Sequence, residues 1–126
     1  MARVLIVEDD GARCEWFRDR LRAHELDVTC DPAEAVRWLA ERQYELIMLD
    51  HDLLDTHYFS DERDDDRTGY AVAAWLAAHP ASQPRAEIVI HSLNYGGSLR
   101  MRDLLVEAGF RAECIPFHHL QNRLRL

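Results

Sequence analysis

The chain has 126 residues, 48% of them apolar, which suffices for one buried core, and it is read as a single domain over 1–126 with no output domain. Its 23 acidic residues outnumber 15 basic ones, all arginine, and the net charge of −8 argues against duplex DNA as a partner. No apolar run approaches the roughly 18 to 20 residues of a membrane span, and MARVLIVEDD enters a strand pattern at once, so no membrane association and a cytoplasmic location are expected. Cys14, Cys30 and Cys114 are widely spaced in apolar surroundings, which fits reduced core thiols.

In chain order, Val4 to Val7 is a continuously apolar, β-rich run, as a central parallel strand covered on both faces requires. Helical spacing follows at Trp16, Phe17 and Leu21, and then a weaker strand pattern at Leu26 to Thr29. Asp31-Pro32 followed by Glu34 signals a helix start, and Ala35, Val36 and Leu39 continue it. Leu46 to Leu49 is the third strand, and the polar, acid-rich stretch 51–67 after it is longer than the usual connection. Val72, Trp75 and Leu76 mark the third helix, Ile88 to Ile90 the fourth strand, and Met101, Leu104, Leu105 and Ala108 the fourth helix, which Gly109 stops. Ala112 to Ile115 supplies the last edge strand, and the final helix begins near His118 and His119.

Strand and helix thus alternate through right-handed βαβ units. The expected fold is α/β, a three-layer doubly wound five-stranded parallel sheet of flavodoxin-like order 2-1-3-4-5, with function at the carboxyl ends of the strands. Glu8, Asp9 and Asp10 follow the first strand, and Asp50 and Asp52 follow the third, so acids from neighbouring strands converge on one edge. A hard divalent cation, Mg²⁺ or Mn²⁺, answers that repulsion, since it takes a few carboxylates and leaves positions open for phosphate oxygens. Glu8, Asp9, Asp50 and Asp52 are the expected metal-site residues.

VLIVEDD and YELIMLD resemble the response-regulator receiver family over nearly the whole chain. The resemblance implies Glu8 and Asp9 as metal-binding acids, Asp50 as the phosphoacceptor, and Asp52 as the position whose backbone carbonyl reaches the metal. It fails at the fifth strand, where receivers carry a lysine before a proline and this chain has Ile115 before Pro116. With no lysine anywhere, a cationic partner for a phosphoryl group must be an arginine or a histidine.

The fourth strand ends in IVIHSLN, which adds His91 as a group able to exchange protons near neutral pH, and His51 stands between two acids in DHD. LDHDL, TGYAVAAWL, IVIHSLN and MRDLL together resemble the atypical cyclic-phosphate-processing receiver domains over about Glu45 to Leu105; Tyr95 departs from the proline usual after the asparagine. That resemblance implies an enzyme on cyclic-phosphate or other phosphorylated substrates, RNA ends among them. Asp50, His91 and His51 are its expected catalytic residues, and Ser92, Asn94, Gly97 and Ser98 its phosphate-binding ones, the last two with Gly96 at a helix start.

Two other readings stay open: a phosphorelay regulator phosphorylated on Asp50 by a histidine kinase, and a pseudo-receiver that binds a protein partner without chemistry. Trp16, Trp38 and Trp75 read as packing residues. His118 and His119 read as surface or packing residues. The acidic run Asp61, Glu62, Asp64, Asp65 and Asp66 reads as a solvated loop, with an additional cation site as the alternative, and its place beside the site also permits a lid that carries His57 and Tyr58 over the pocket.

Overall fold

The computed structural model describes residues 1–53, 68–124 and 126. The expectations for His57, Tyr58, the acidic run and a lid over 51–67 lie, from residue 54 on, outside the described residues. Elements follow in the order β1 (Arg3–Val7), α1 (Gly11–Arg20), β2 (Glu25–Thr29), α2 (Pro32–Glu41), β3 (Leu46–Leu49), α3 (Gly69–Ala78), β4 (Glu87–Ile90), α4 (Tyr95–Glu107) and β5 (Arg111–Cys114). A 3₁₀ turn (Phe117–His119) and a short α5 (Leu120–Arg123) complete them.

The five strands form one parallel sheet in the order β2-β1-β3-β4-β5, as expected. Alternation along each strand divides the apolar side chains between the two faces. Leu5, Val7, Ile47, Leu49, Ile88 and Ile90 pack against α2, α3 and α4, whereas Val4, Ile6, Met48 and Val89 pack against Phe17 of α1, Leu21 at its C-cap and Leu120 of α5. Three layers result. Trp16, Trp38 and Trp75 lie half-buried against these cores, and His118 and His119 are exposed.

Local signals place the helices. Asp31 caps α2 by accepting from the Ala33 N–H at 3.0 Å, with Pro32 in the first turn, and Gly109 takes φ 102° just past α4. Asn94 is the N-cap of α4, and its Oδ1 accepts from the Gly97 N–H at 2.9 Å. Cys30 is exposed, so it is not a core thiol; Cys14 is buried and Cys114 half-buried, and all three are free. Among the described residues no helix is long and apolar enough to cross a membrane.

Candidate metal and phosphate site

Register builds the site. Val7 pairs with Leu49 and Leu49 with Ile90, so the residues one step beyond, Glu8, Asp50 and His91, stand side by side. The ladder carries on through them: the Asp50 N–H donates to the Val7 carbonyl (3.1 Å), His91 to Leu49 (2.9 Å) and Ile115 to Ile90 (3.0 Å). Each continues the face of Ile6, Met48 and Val89, so all point toward α1 and α5. Ile115 ends this row on the β5 side, buried in the apolar core at the position where receivers keep their lysine.

Glu8, Asp50 and His91 each offer a ligand atom, and these atoms lie within 4.8 Å of one another. Glu8 reaches past β3 to His91, with Oε1 3.1 Å from Nε2, while Oε2 accepts from the backbone N–H groups of Asp9 (3.0 Å) and Asp10 (3.3 Å). Burial alone would raise the Glu8 carboxyl, but hydrogen bonds from His91, Asp50 and the Asp10 backbone bring it down to about 2. Asp50 moves the other way. Burial, reinforced by the neighbouring Glu8 charge, raises it to about 8 against the smaller pull of Ser92 and Arg13. The acid pair therefore shares one proton at neutral pH in the metal-free chain, with Asp50 pushed up and Glu8 down.

His91 is fully buried, its ring edge-on to Phe17 with centroids 5.2 Å apart. Burial lowers its pKa in spite of Glu8, so the ring is neutral at pH 7. A low-pKa carboxylate opposite Nε2 calls for the proton there, which leaves Nδ1 a lone pair. That buried Nδ1 has no hydrogen-bond partner among the described residues. The two carboxylates of this cluster fit a hard divalent cation such as Mg²⁺ or Mn²⁺, with the His91 Nε2–H holding Glu8 beside it.

A cavity of about 300 Å³ opens over this row, lined by Arg13, Asp50, Asp52, Ser92, Leu93 and Asn94. Of the expected residues, then, Asp50, Asp52, Ser92 and Asn94 face it. Glu8 and His91 lie beneath it, and Asp9 is half-buried at the start of the β1–α1 turn. His91, an expected catalytic residue, is not among the residues lining the cavity: its ring is fully buried, with Nε2 against Glu8 Oε1. His51 is likewise not at the cavity wall. Its Nδ1 lies 2.8 Å from Asp52 Oδ1, which also receives the Asn94 Nδ2 at 3.2 Å, and its ring packs where a Cβ on Gly97 would stand 2.6 Å away.

An anion site is expected at Gly97 and Ser98, in the first turn of α4. Their backbone N–H groups are taken by the Asn94 side chain (2.9 Å) and carbonyl (2.9 Å), and the Ser98 hydroxyl donates to the Ser92 carbonyl at 3.4 Å. The Ser92 hydroxyl accepts from the Asn94 N–H at 3.0 Å. These groups lock the β4–α4 turn. Arg13, which sequence reasoning left unassigned, is the cation that the described residues bring to the cavity. A larger groove of about 440 Å³ opens at the opposite end of the sheet, where glutamates and arginines pair with each other, as Arg111 does with Glu87 at 3.4 Å.

A family model described as the cyclic-phosphate processing receiver domain matches residues 4–107. The chain belongs to that family. Among curated proteins, none matches this receiver's sequence. Its fold is similar to a response regulator from Burkholderia pseudomallei with a phosphorylated aspartic acid, calcium ion and citrate (TM-score 0.66, 15% identity, 99% of this chain and 67% of that one). It is also similar to response regulator TrrA from Thermotoga maritima in complex with Mg²⁺-BeF (0.64, 19%, 92% and 86%). A third relative in fold is the receiver domain of sensor histidine kinase PA1611 from Pseudomonas aeruginosa PAO1, with a magnesium ion coordinated in the active site cleft (0.64, 20%, 95% and 91%). At such identities the likeness establishes the fold.

Proposed function

We propose that this receiver is a metal-dependent phosphoesterase that opens cyclic phosphates, 2′,3′-cyclic ends of RNA being the substrate class. The observation that supports this best is the Glu8–Asp50–His91 row, because a neutral imidazole bonded to the metal-side carboxylate adds a proton-holding group beside the acids. Glu8, Asp9 and Asp50 would hold Mg²⁺ or Mn²⁺, and the backbone carbonyl of Asp52 would join them. A bound divalent ion supplies Lewis-acid polarisation of a phosphoryl oxygen.

The chain's own residues do the rest. His91, through Nε2, holds Glu8 Oε1 in place and keeps it ionised. Asp52, oriented by His51 and Asn94, lines the cavity as the carboxylate that takes a proton from an attacking water. In the reaction the water oxygen bonds to phosphorus, the bond from phosphorus to one ribose oxygen breaks, and a proton ends on that leaving oxygen. The product is a phosphomonoester with a free vicinal hydroxyl.

A phosphorelay reading keeps one observation in its favour, since Asp50 is the strand-end acid at the cavity and the Burkholderia relative carries a phosphorylated aspartate. Incubating the protein with Mn²⁺ and either a 2′,3′-cyclic-phosphate oligonucleotide or acetyl phosphate separates the two. Cyclising-end hydrolysis, seen as a nucleotide heavier by one water and lost in Asp50→Asn, supports the esterase. A protein heavier by one phosphoryl group at Asp50, with the nucleotide unchanged, would replace it with signalling.

A further inference from the structure

Asp10 caps α1 by accepting from the backbone N–H of Arg13 at 2.9 Å, which fixes Arg13 in the first helical turn, directly above the acid row. From there its Nη1 reaches both carboxylates, 3.5 Å from Glu8 Oε1 and 3.8 Å from Asp50 Oδ2. The guanidinium carbon lies 5.2 Å from the centroid of Phe117, just past β5, so the head group is backed by an aromatic face. Its side chain retains 23% exposure and forms part of the cavity wall beside Ser92 and Asn94.

We propose that Arg13 is the phosphate-binding cation of this site, taking from α1 the place that a β5 lysine holds in other receivers, and that without metal it serves as the counter-cation of Glu8 and Asp50. The inference rests on the metal-and-phosphate reading given above. Ile115 makes the β5 position apolar and buried, so no cation can come from there. Arg13 compensates from the opposite side of the row. A guanidinium offers a planar fork that matches two oxygens of a phosphate, which an ammonium does not. Its contact with both acids also makes it a competitor of any metal drawn to them.

Two opposite effects of one substitution follow. Arg13→Gln removes the competitor and the anion ligand together, so Mn²⁺ alone should bind several-fold more tightly. Inorganic phosphate added to the Mn²⁺-loaded protein should bind about tenfold more weakly or worse, the size expected for a lost charge-assisted hydrogen bond. Arg13→Lys should restore the metal competition but only part of the phosphate affinity. Calorimetry or Mn²⁺ electron resonance reads both constants, and circular dichroism checks the fold of each variant. If the wild type binds Mn²⁺ and phosphate but Arg13→Gln changes neither constant, or weakens both, Arg13 is not this cation while the site reading stands. If the wild type binds neither, both fall.

Discussion

Glu8 and His91 meet at 3.1 Å although their strands are separated by β3, and both side chains are completely buried. Each leans over Asp50 to do so. A buried carboxylate that loses a hydrogen-bond partner is left with a desolvation cost of about 1–3 kcal/mol, more when the group is charged. His91→Ala should therefore lower metal-free stability by about 3 kcal/mol in urea unfolding. Glu8→Gln, which keeps an acceptor for the Nε2 proton without the charge, should cost less. Equal and small effects of both would show that the pair carries no such tension.

The acid pair also makes metal uptake depend on pH. Asp50 stands at about 8 instead of its usual 3.8, so between these values the folded chain binds a proton that the unfolded chain has lost. Stability from this group is therefore lost as pH rises through that window. Glu8, held at about 2 instead of 4.5, acts in reverse: its contribution is present above 4.5 and disappears as pH falls toward 2. A cation needs Asp50 deprotonated, so Mn²⁺ affinity should climb by up to about tenfold per pH unit from pH 6 and level off above 8. Titrations in buffers of different ionisation enthalpy should register one proton released below that point. An affinity that is flat from pH 6 to 9 would contradict the protonated Asp50.

Much of this was legible in the sequence because the signals were local. Three apolar runs ended in acids or a histidine, and parallel pairing then required Glu8, Asp50 and His91 to share an edge. What the sequence did not disclose depended on side-chain direction. Asn94 and Ser98 read as phosphate ligands in a string of polar residues; both also close the β4–α4 turn, while Asn94 still lines the cavity. His51 looks catalytic between two aspartates, but Gly97 gives its ring a niche behind Asp52. Arg13 went unassigned because nothing in GARCEW marks one arginine above the others; its value comes from lying one helical turn above the strand ends. The absence of lysine was the available signal, and it pointed only to residue type.

A second feature hidden from sequence reading is Gln83, which is buried and joins three backbone groups around the α2–β3 connection. Its Nε2 donates to the carbonyls of Leu39 (2.9 Å) and Arg42 (2.7 Å), and its Oε1 accepts from the Tyr44 N–H at 2.8 Å. Tyr44 in turn donates its hydroxyl to Asp27 at 2.6 Å, which ties β2 to the same corner. Stranding buried backbone groups costs about 1–3 kcal/mol each, so Gln83→Ala should destabilise the fold by about 3 kcal/mol. Mn²⁺ affinity should stay unchanged, because the corner lies at the other end of the sheet from Asp50. A variant as stable as the wild type would mean that water replaces these contacts without loss.

Gly69 and Gly97 border the site and should respond unequally to a methyl group. At Gly69 a Cβ would stand 1.7 Å from the backbone carbonyl oxygen of Asp50, while the Gly69 N–H donates to the His51 carbonyl at 2.8 Å. Backbone meets backbone there, so α3 must move off the end of β3 and take the Asp50 peptide with it. At Gly97 the obstacle is the His51 ring, 2.6 Å from the new carbon, and a side chain can turn aside. Overpacking typically costs about 1–3 kcal/mol, and Gly69→Ala should lie at or beyond the upper end with Mn²⁺ binding lost, Gly97→Ala nearer the lower end with binding kept. Gly11→Ala, where a Cβ meets nothing within 4 Å, serves as the control and should be neutral or slightly stabilising. If Gly69→Ala folds and binds metal like the control, the close seating of α3 on the Asp50 carbonyl does not position the site.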